Sequence, residues 1–139
     1  MVIGNLIIAG IFQCLIFNQR MAEHNDTGKK GEEIAARFLE NKGFTILETN
    51  WRFKNLEADI IARVAKTLVV AEVKTRKSNY FGEPESFVTK QKQKNLIKAA
   101  NEYILRNNLD LEVRFDIVSV VLNDSTAVKH IEDAFYPLL

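Results

Sequence analysis

The sequence predicts an α/β domain built on a central mixed sheet with helices against it. Three observations carry the prediction. An apolar stretch, Thr67 to Arg76 (TLVVAEVKTR), has the alternation of a buried strand, and period-two segments lie on both sides of it. Two further segments, after Gly31 and after Thr89, repeat their apolar residues at helical spacing. In order, these give helix, three strands, helix and two more strands, an arrangement that closes one core.

Composition sets the limits. The chain has 139 residues, 47% of them hydrophobic and 27% charged, which suits a single domain with a substantial core. Nineteen Lys and Arg against eighteen Asp and Glu leave a formal net charge of +1, so any polyanion site has to be a local patch. The single cysteine, Cys14, permits no internal disulfide and no cysteine zinc site, and fits a reducing cytoplasm.

Met1 to Phe17 carries no charged side chain, yet it is short of the about 20 apolar residues of a membrane span. It also lacks the leading positive charge of a signal peptide, because the first charge is Arg20. Residues 1–20 therefore read as a mis-assigned upstream extension outside the fold, with a short membrane-associating segment as the rival. Residues 21–139 read as one domain with no stable membrane association.

From Gly31, Ile34, Ala35, Phe38 and Leu39 form one apolar helical face, which Gly43 is placed to end. About three turns result. Glu32 falls on the Ala35 and Leu39 side and Glu33 points away, although a first-turn glutamate also complements the helix dipole. Phe44 to Phe53 is the first strand, Lys54 and Asn55 a turn, and Glu57 to Val64 the second strand, joined by Ala65 and Lys66 to the strand from Thr67. This is an antiparallel meander. Lys77 to Glu85, with a glycine and a proline, is a loop. Thr89 caps a helix to about Asn107, whose apolar face is Leu96, Ile97, Ala100, Tyr103 and Ile104. Val113 to Leu122 is a strand in which Arg114 and Asp116 share a face and pair at a strand edge. Ala127 to Phe135 is the last strand. It contains His130, and with His24 the only other histidine there is no histidine metal cluster.

The chemistry gathers at the third strand. Residues two apart in a strand point to one side, so Glu72 and Lys74 emerge together while Val69, Ala71 and Val73 face the other way. Such charges at the end of an apolar run must pair with each other or be put to use. Hairpin pairing sets Asp59 near Glu72, and two neighbouring carboxylates call for a shared proton or cation. With Glu32 the set is Glu32, Asp59, Glu72 and Lys74. Hard oxygen donors favour Mg2+ or Mn2+ as cofactor. A lysine beside them can orient a nucleophile, stabilise charge on a phosphate or take a proton, which suits phosphodiester hydrolysis. Between Glu72 and Lys98 there are seven basic residues against three acidic ones. Lys90, Lys94 and Lys98 repeat every fourth residue, and with Arg76 and Lys77 they are the candidate nucleic-acid contacts, the plain alternative being a solvated helix face.

The segments GEEIAARFL, NWRF, EADIIA, VVAEVKTR and RFDIVSV resemble the YraN family of bacterial proteins, over about Gly28 to Phe135. The order Glu, Asp, Glu-x-Lys resembles the restriction-endonuclease-like, or PD-(D/E)XK, nuclease superfamily, with Ala58 standing where the proline of that name is usual and Leu56 where the family often has glycine. The resemblance implies a restriction-endonuclease-like fold, with Asp59 and Glu72 as metal ligands and Lys74 as the motif lysine. It also implies that Glu32 is the helix carboxylate seen in archaeal Holliday-junction resolvases. A metal-dependent DNA endonuclease acting on branched or structured forms is the expected activity. The alternative is a non-catalytic nucleic-acid-binding or adaptor protein, and a homodimer is a further expectation.

Overall fold

The computed structural model describes residues 3–78 and 88–137, with side chains from Gln13 onward. The chain divides into two compact units, Met1–Lys30 and Gly31–Leu139. Seven elements follow in order: α1 (Ile3–Asn41), β1 (Thr45–Phe53), β2 (Leu56–Val64), β3 (Thr67–Arg76), α2 (Lys90–Asn107), β4 (Glu112–Val121) and β5 (Ala127–Phe135).

α1 is longer than the three turns expected. It begins at Ile3 rather than Gly31, and Thr27 lies within it. The Thr27 hydroxyl donates back to the Glu23 carbonyl at 2.7 Å, a bond compatible with a continuing helix. The helix ends as the sequence indicates. Gly43 adopts φ +91, the Gly43 N–H reaches the Glu40 carbonyl and the Phe44 N–H reaches that of Leu39.

The sheet is mixed, in the order β1-β2-β3-β4-β5. β1, β2 and β3 form the antiparallel meander, β3 and β4 are parallel, and β5 returns antiparallel on β4. Both hairpin turns rest on residues in the left-handed region, Lys54 and Ala65. β3 and β4 run parallel because the connection between them contains α2, long enough to carry the chain back to the starting end. Thr89 is the N-cap of α2, its hydroxyl accepting the Lys92 N–H at 3.2 Å, and Asn108 closes the other end in the left-handed conformation. The expected loop 77–85 falls, from residue 79 on, outside the described residues.

Alternation along the strands separates two apolar layers. Leu68, Val70, Phe115 and Ile117 join Leu96, Ala100 and Tyr103 of α2. Val69, Ala71, Val118 and Val120 join Ala35 and Leu39 of α1. The central strand β3 is thus covered on both faces, which is why its sequence is apolar without interruption up to Glu72. Gly31 brings α1 close to that strand: a Cβ there would overlap the side chain of Thr75. One expectation needs correction. Arg114 and Asp116 do pair, but not at an edge, since β4 is flanked by β3 and β5.

Among the described residues no helix is long and apolar enough to cross a membrane.

Candidate active site

The β2–β3 ladder is regular from Val64–Thr67 up to Ile60–Ala71. Beyond that pair the Asp59 side chain takes over from the backbone, its Oδ2 accepting the Val73 N–H at 2.8 Å. An N–H at the point where the ladder stops needs an acceptor, and a carboxylate supplies a strong one. The hairpin therefore brings Asp59 to Glu72, as its spacing indicates.

Glu72 is buried, only 4% exposed, although it is ionisable. It lies on the α2 side of β3. Lys74 Nζ is 3.3 Å from its Oε1, and Lys92 Nζ is 3.4 Å from its Oε2 and 3.2 Å from Glu57 Oε1. Among the described residues Oε2 receives no hydrogen bond, so Lys92 attracts it without being aligned to donate. Burial, together with the charge of Asp59, raises the Glu72 pKa above the ordinary glutamate value, and Lys92 and Lys74 only partly counter this. For Lys92 burial acts to lower the pKa, but the charges of Glu72, Asp59 and Glu57 outweigh it and the pKa is raised.

Glu32 is half-buried and Glu33 exposed, as the helix spacing indicates. Burial raises the Glu32 pKa, a hydrogen bond with Asn50 opposes the rise, and Asp59 and Glu57 add to it. Glu32 therefore shares the electrostatic field of Asp59. The three stripe lysines, Lys90, Lys94 and Lys98, are exposed, and the first two line a shallow cleft with Gln93, Ile97 and Tyr136. Arg76 is half-buried and Lys77 exposed.

Sequence reasoning missed two participants. In the sequence Lys92 stands out only as one of the seven basic residues between Glu72 and Lys98, yet it lies four residues before Leu96, on the stripe that packs against β3. Extending the apolar face back by one turn would have found it. The His130 side chain, 2% exposed, belongs to a second network, its Nε2 2.7 Å from Asp116 and its Nδ1 2.8 Å from Lys42 Nζ. Nothing in its local sequence signals that long-range pairing.

Asp59 and Glu72 are the residues that could hold a divalent cation at the sheet. Asp59 and Glu72 are hard oxygen ligands, and the buried Oε2 without a hydrogen bond is an acceptor with capacity for a cation. Among the described residues no three His, Cys, Asp or Glu side chains gather to make a closed cage.

The fold and this cluster define an α/β protein with a carboxylate–lysine site on the central strand of a five-stranded mixed sheet. The sequence model of "Uncharacterised protein family UPF0102" matches residues 31–120, and the chain belongs to this family, also called YraN. A UPF0102 protein of Flavobacterium psychrophilum is 53% identical over 117 residues, covering 84% of this chain and 98% of the relative. One from Christiangramia forsetii is 49% identical with the same coverage. One from Bacteroides thetaiotaomicron is 43% identical over 120 residues, 86% of this chain and 99% of the relative.

Proposed function

We propose that this protein is a divalent-metal-dependent endonuclease that hydrolyses DNA phosphodiester bonds, with branched or structured DNA as the form to test first. The observation that carries the reading is Glu72: a buried carboxylate with an oxygen lacking a hydrogen bond, next to Asp59 and within 3.3 Å of Lys74. A buried ion cluster of this kind is often no more stabilising than apolar packing in its place, so stability alone is weak reason to keep it. Asp59 and Glu72 would hold Mg2+ or Mn2+, which when bound polarises a phosphoryl oxygen and activates water. Lys74 would stabilise the charge that builds on the phosphate and orient the attacking water, and Glu32 would extend the acidic end beside Asp59. Lys90, Lys94 and Lys98, with Arg76 and Lys77, would neutralise neighbouring phosphates. A cytoplasmic location and a homodimer belong to the same proposal.

The test is incubation of the full chain with linear, flapped and four-way DNA in Mg2+ or Mn2+. Cleavage by the wild type is expected, with loss of most of it in Lys74→Ala and Asp59→Asn, and unchanged folding in Lys74→Ala. Either metal should also raise the melting temperature of the wild type but not of Asp59→Asn, since a ligand of the folded state stabilises it.

A second reading is a non-catalytic nucleic-acid-binding or adaptor protein. The observation in its favour is that Lys74 and Lys92 both already pair with Glu72. On this reading Lys74→Ala destabilises the protein by about 3 kcal/mol or more. The wild type then cuts no DNA form with either metal.

A further inference from the structure

The position of Lys92 goes beyond the needs of a structural ion pair. It stands in the first turn of α2, and its ammonium lies between two carboxylates of opposite character. Glu72, side chain 6% exposed, is in the candidate metal site, whereas Glu57, side chain 56% exposed, is at the surface. Towards Glu57 the ammonium makes a hydrogen bond at 3.2 Å. Towards Glu72 Oε2 it is 3.4 Å away and makes none. The hydrogen bond thus goes to Glu57, while the atom a metal would need is held by charge alone and keeps its acceptor capacity. Lysine suits such a post because its charge is compact and its stem flexible, while Lys74 is tied to Glu72 from the same strand.

We propose that Lys92 is a displaceable counter-ion of this site. Without a divalent cation its ammonium offsets the buried Glu72 charge and lets the site fold. When a cation takes Oε2, repulsion moves the ammonium to the Glu57 side, where it is free to meet a phosphate oxygen. The inference rests on the metal-binding part of the proposed function and adds a coupling: metal loading releases a positive charge towards the DNA backbone, so metal and DNA each tighten the binding of the other.

Calorimetric titration of the full chain with Mn2+ tests this without reference to cleavage. Lys92→Met should bind Mn2+ at least about tenfold more tightly than the wild type, since the competing charge is gone. It should also melt lower without metal and gain more from Mn2+ than the wild type does. Lys92→Arg keeps the charge and should bind no more tightly than the wild type. Lys94→Met removes an exposed charge from the next turn and should stay within about twofold, as solvent and salt screen it. Should Lys92→Met fail to fold, Lys92→Gln carries the same comparison. Mn2+ binding only in the uncharged Lys92 variants would also support the proposal. Binding by the wild type that Lys92→Met does not tighten overturns it and leaves the metal site standing. If neither wild type nor Lys92 variants bind Mn2+, both fall.

Discussion

Glu72 shows at the scale of one residue what a buried carboxylate does to stability. Its raised pKa, caused by burial and by Asp59, means that the folded chain holds a proton there more readily than the unfolded chain does. With the folded pKa above the unfolded one, stability falls as pH rises through the interval between them and stays reduced above it. Glu72→Gln should therefore raise the melting temperature of the metal-free protein at neutral pH, and the gain should shrink as pH is lowered towards the range of a free glutamate. Melts of both chains across that range, without metal, check it. A lower melting temperature at neutral pH would mean that the two lysines more than compensate the carboxylate. The pair Glu72 and Lys74 was legible because strand period alone puts i and i+2 on one side. Asp59 was legible through the short hairpin. Lys92 was not, because its role depends on which face of α2 meets β3 and on how far that face extends.

Two contacts between elements hold the frame of the site. The first is the approach of α1 to β3 at Gly31, where a methyl group would meet the Thr75 side chain. Gly31→Ala should push the helix off the strand and cost about 1–3 kcal/mol, as overpacking does. Because Glu32 is the next residue, metal affinity should weaken too if Glu32 belongs to the site. Denaturant melts measure the first effect, and Thr75→Ala in the same chain should recover part of it. The second contact ties β5 to β4. The register slips between Phe115 and Ile117, and there Asp116 accepts the Asp133 N–H at 3.0 Å while Asp133 holds φ +55. Arg114 donates twice to the same carboxylate, at 2.9 and 2.8 Å, and His130 completes it. Burial alone would raise the Asp116 pKa, but the bonds from His130, Arg114 and the Asp133 backbone outweigh it and the pKa is lowered. The sign is opposite to that of Glu72: the stabilisation is present above the unfolded carboxylate range and lost as pH falls through the folded pKa. Asp116→Asn should cost about 3–5 kcal/mol at neutral pH, and the deficit should narrow in acid. Denaturant midpoints at about pH 7 and about pH 3 check both statements. The strands themselves were legible to within a residue or so, because alternation and turn residues are local. This network was not, since it joins residues up to 88 positions apart, as in Lys42 and His130.

For the whole molecule the question is whether a nearly neutral chain can hold a polyanion. Net charge gives no answer, because +1 spread over 139 residues neither attracts nor repels DNA strongly. Distribution decides. The basic excess around α2 follows directly after β3 in the sequence, and α2 itself reaches the site through Lys92. Lys90, Lys94 and Lys98 are exposed and carry no hydrogen bond to a carboxylate among the described residues, so phosphate contact would cost them no existing partner. If they contact the backbone, each contact releases counterions and adds about 0.9 to the slope of log affinity against log salt. Lys90, Lys94 and Lys98 replaced together by alanine should then weaken DNA binding at low salt and flatten that slope by up to about 3, with little effect on folding because the apolar side of α2 is untouched. Fluorescence anisotropy with a labelled four-way junction over a salt series, in Ca2+ to avoid cleavage, gives both numbers. An unchanged slope would make these lysines a solvated helix face and move the DNA contacts to other cations, Arg76 and Lys77 first.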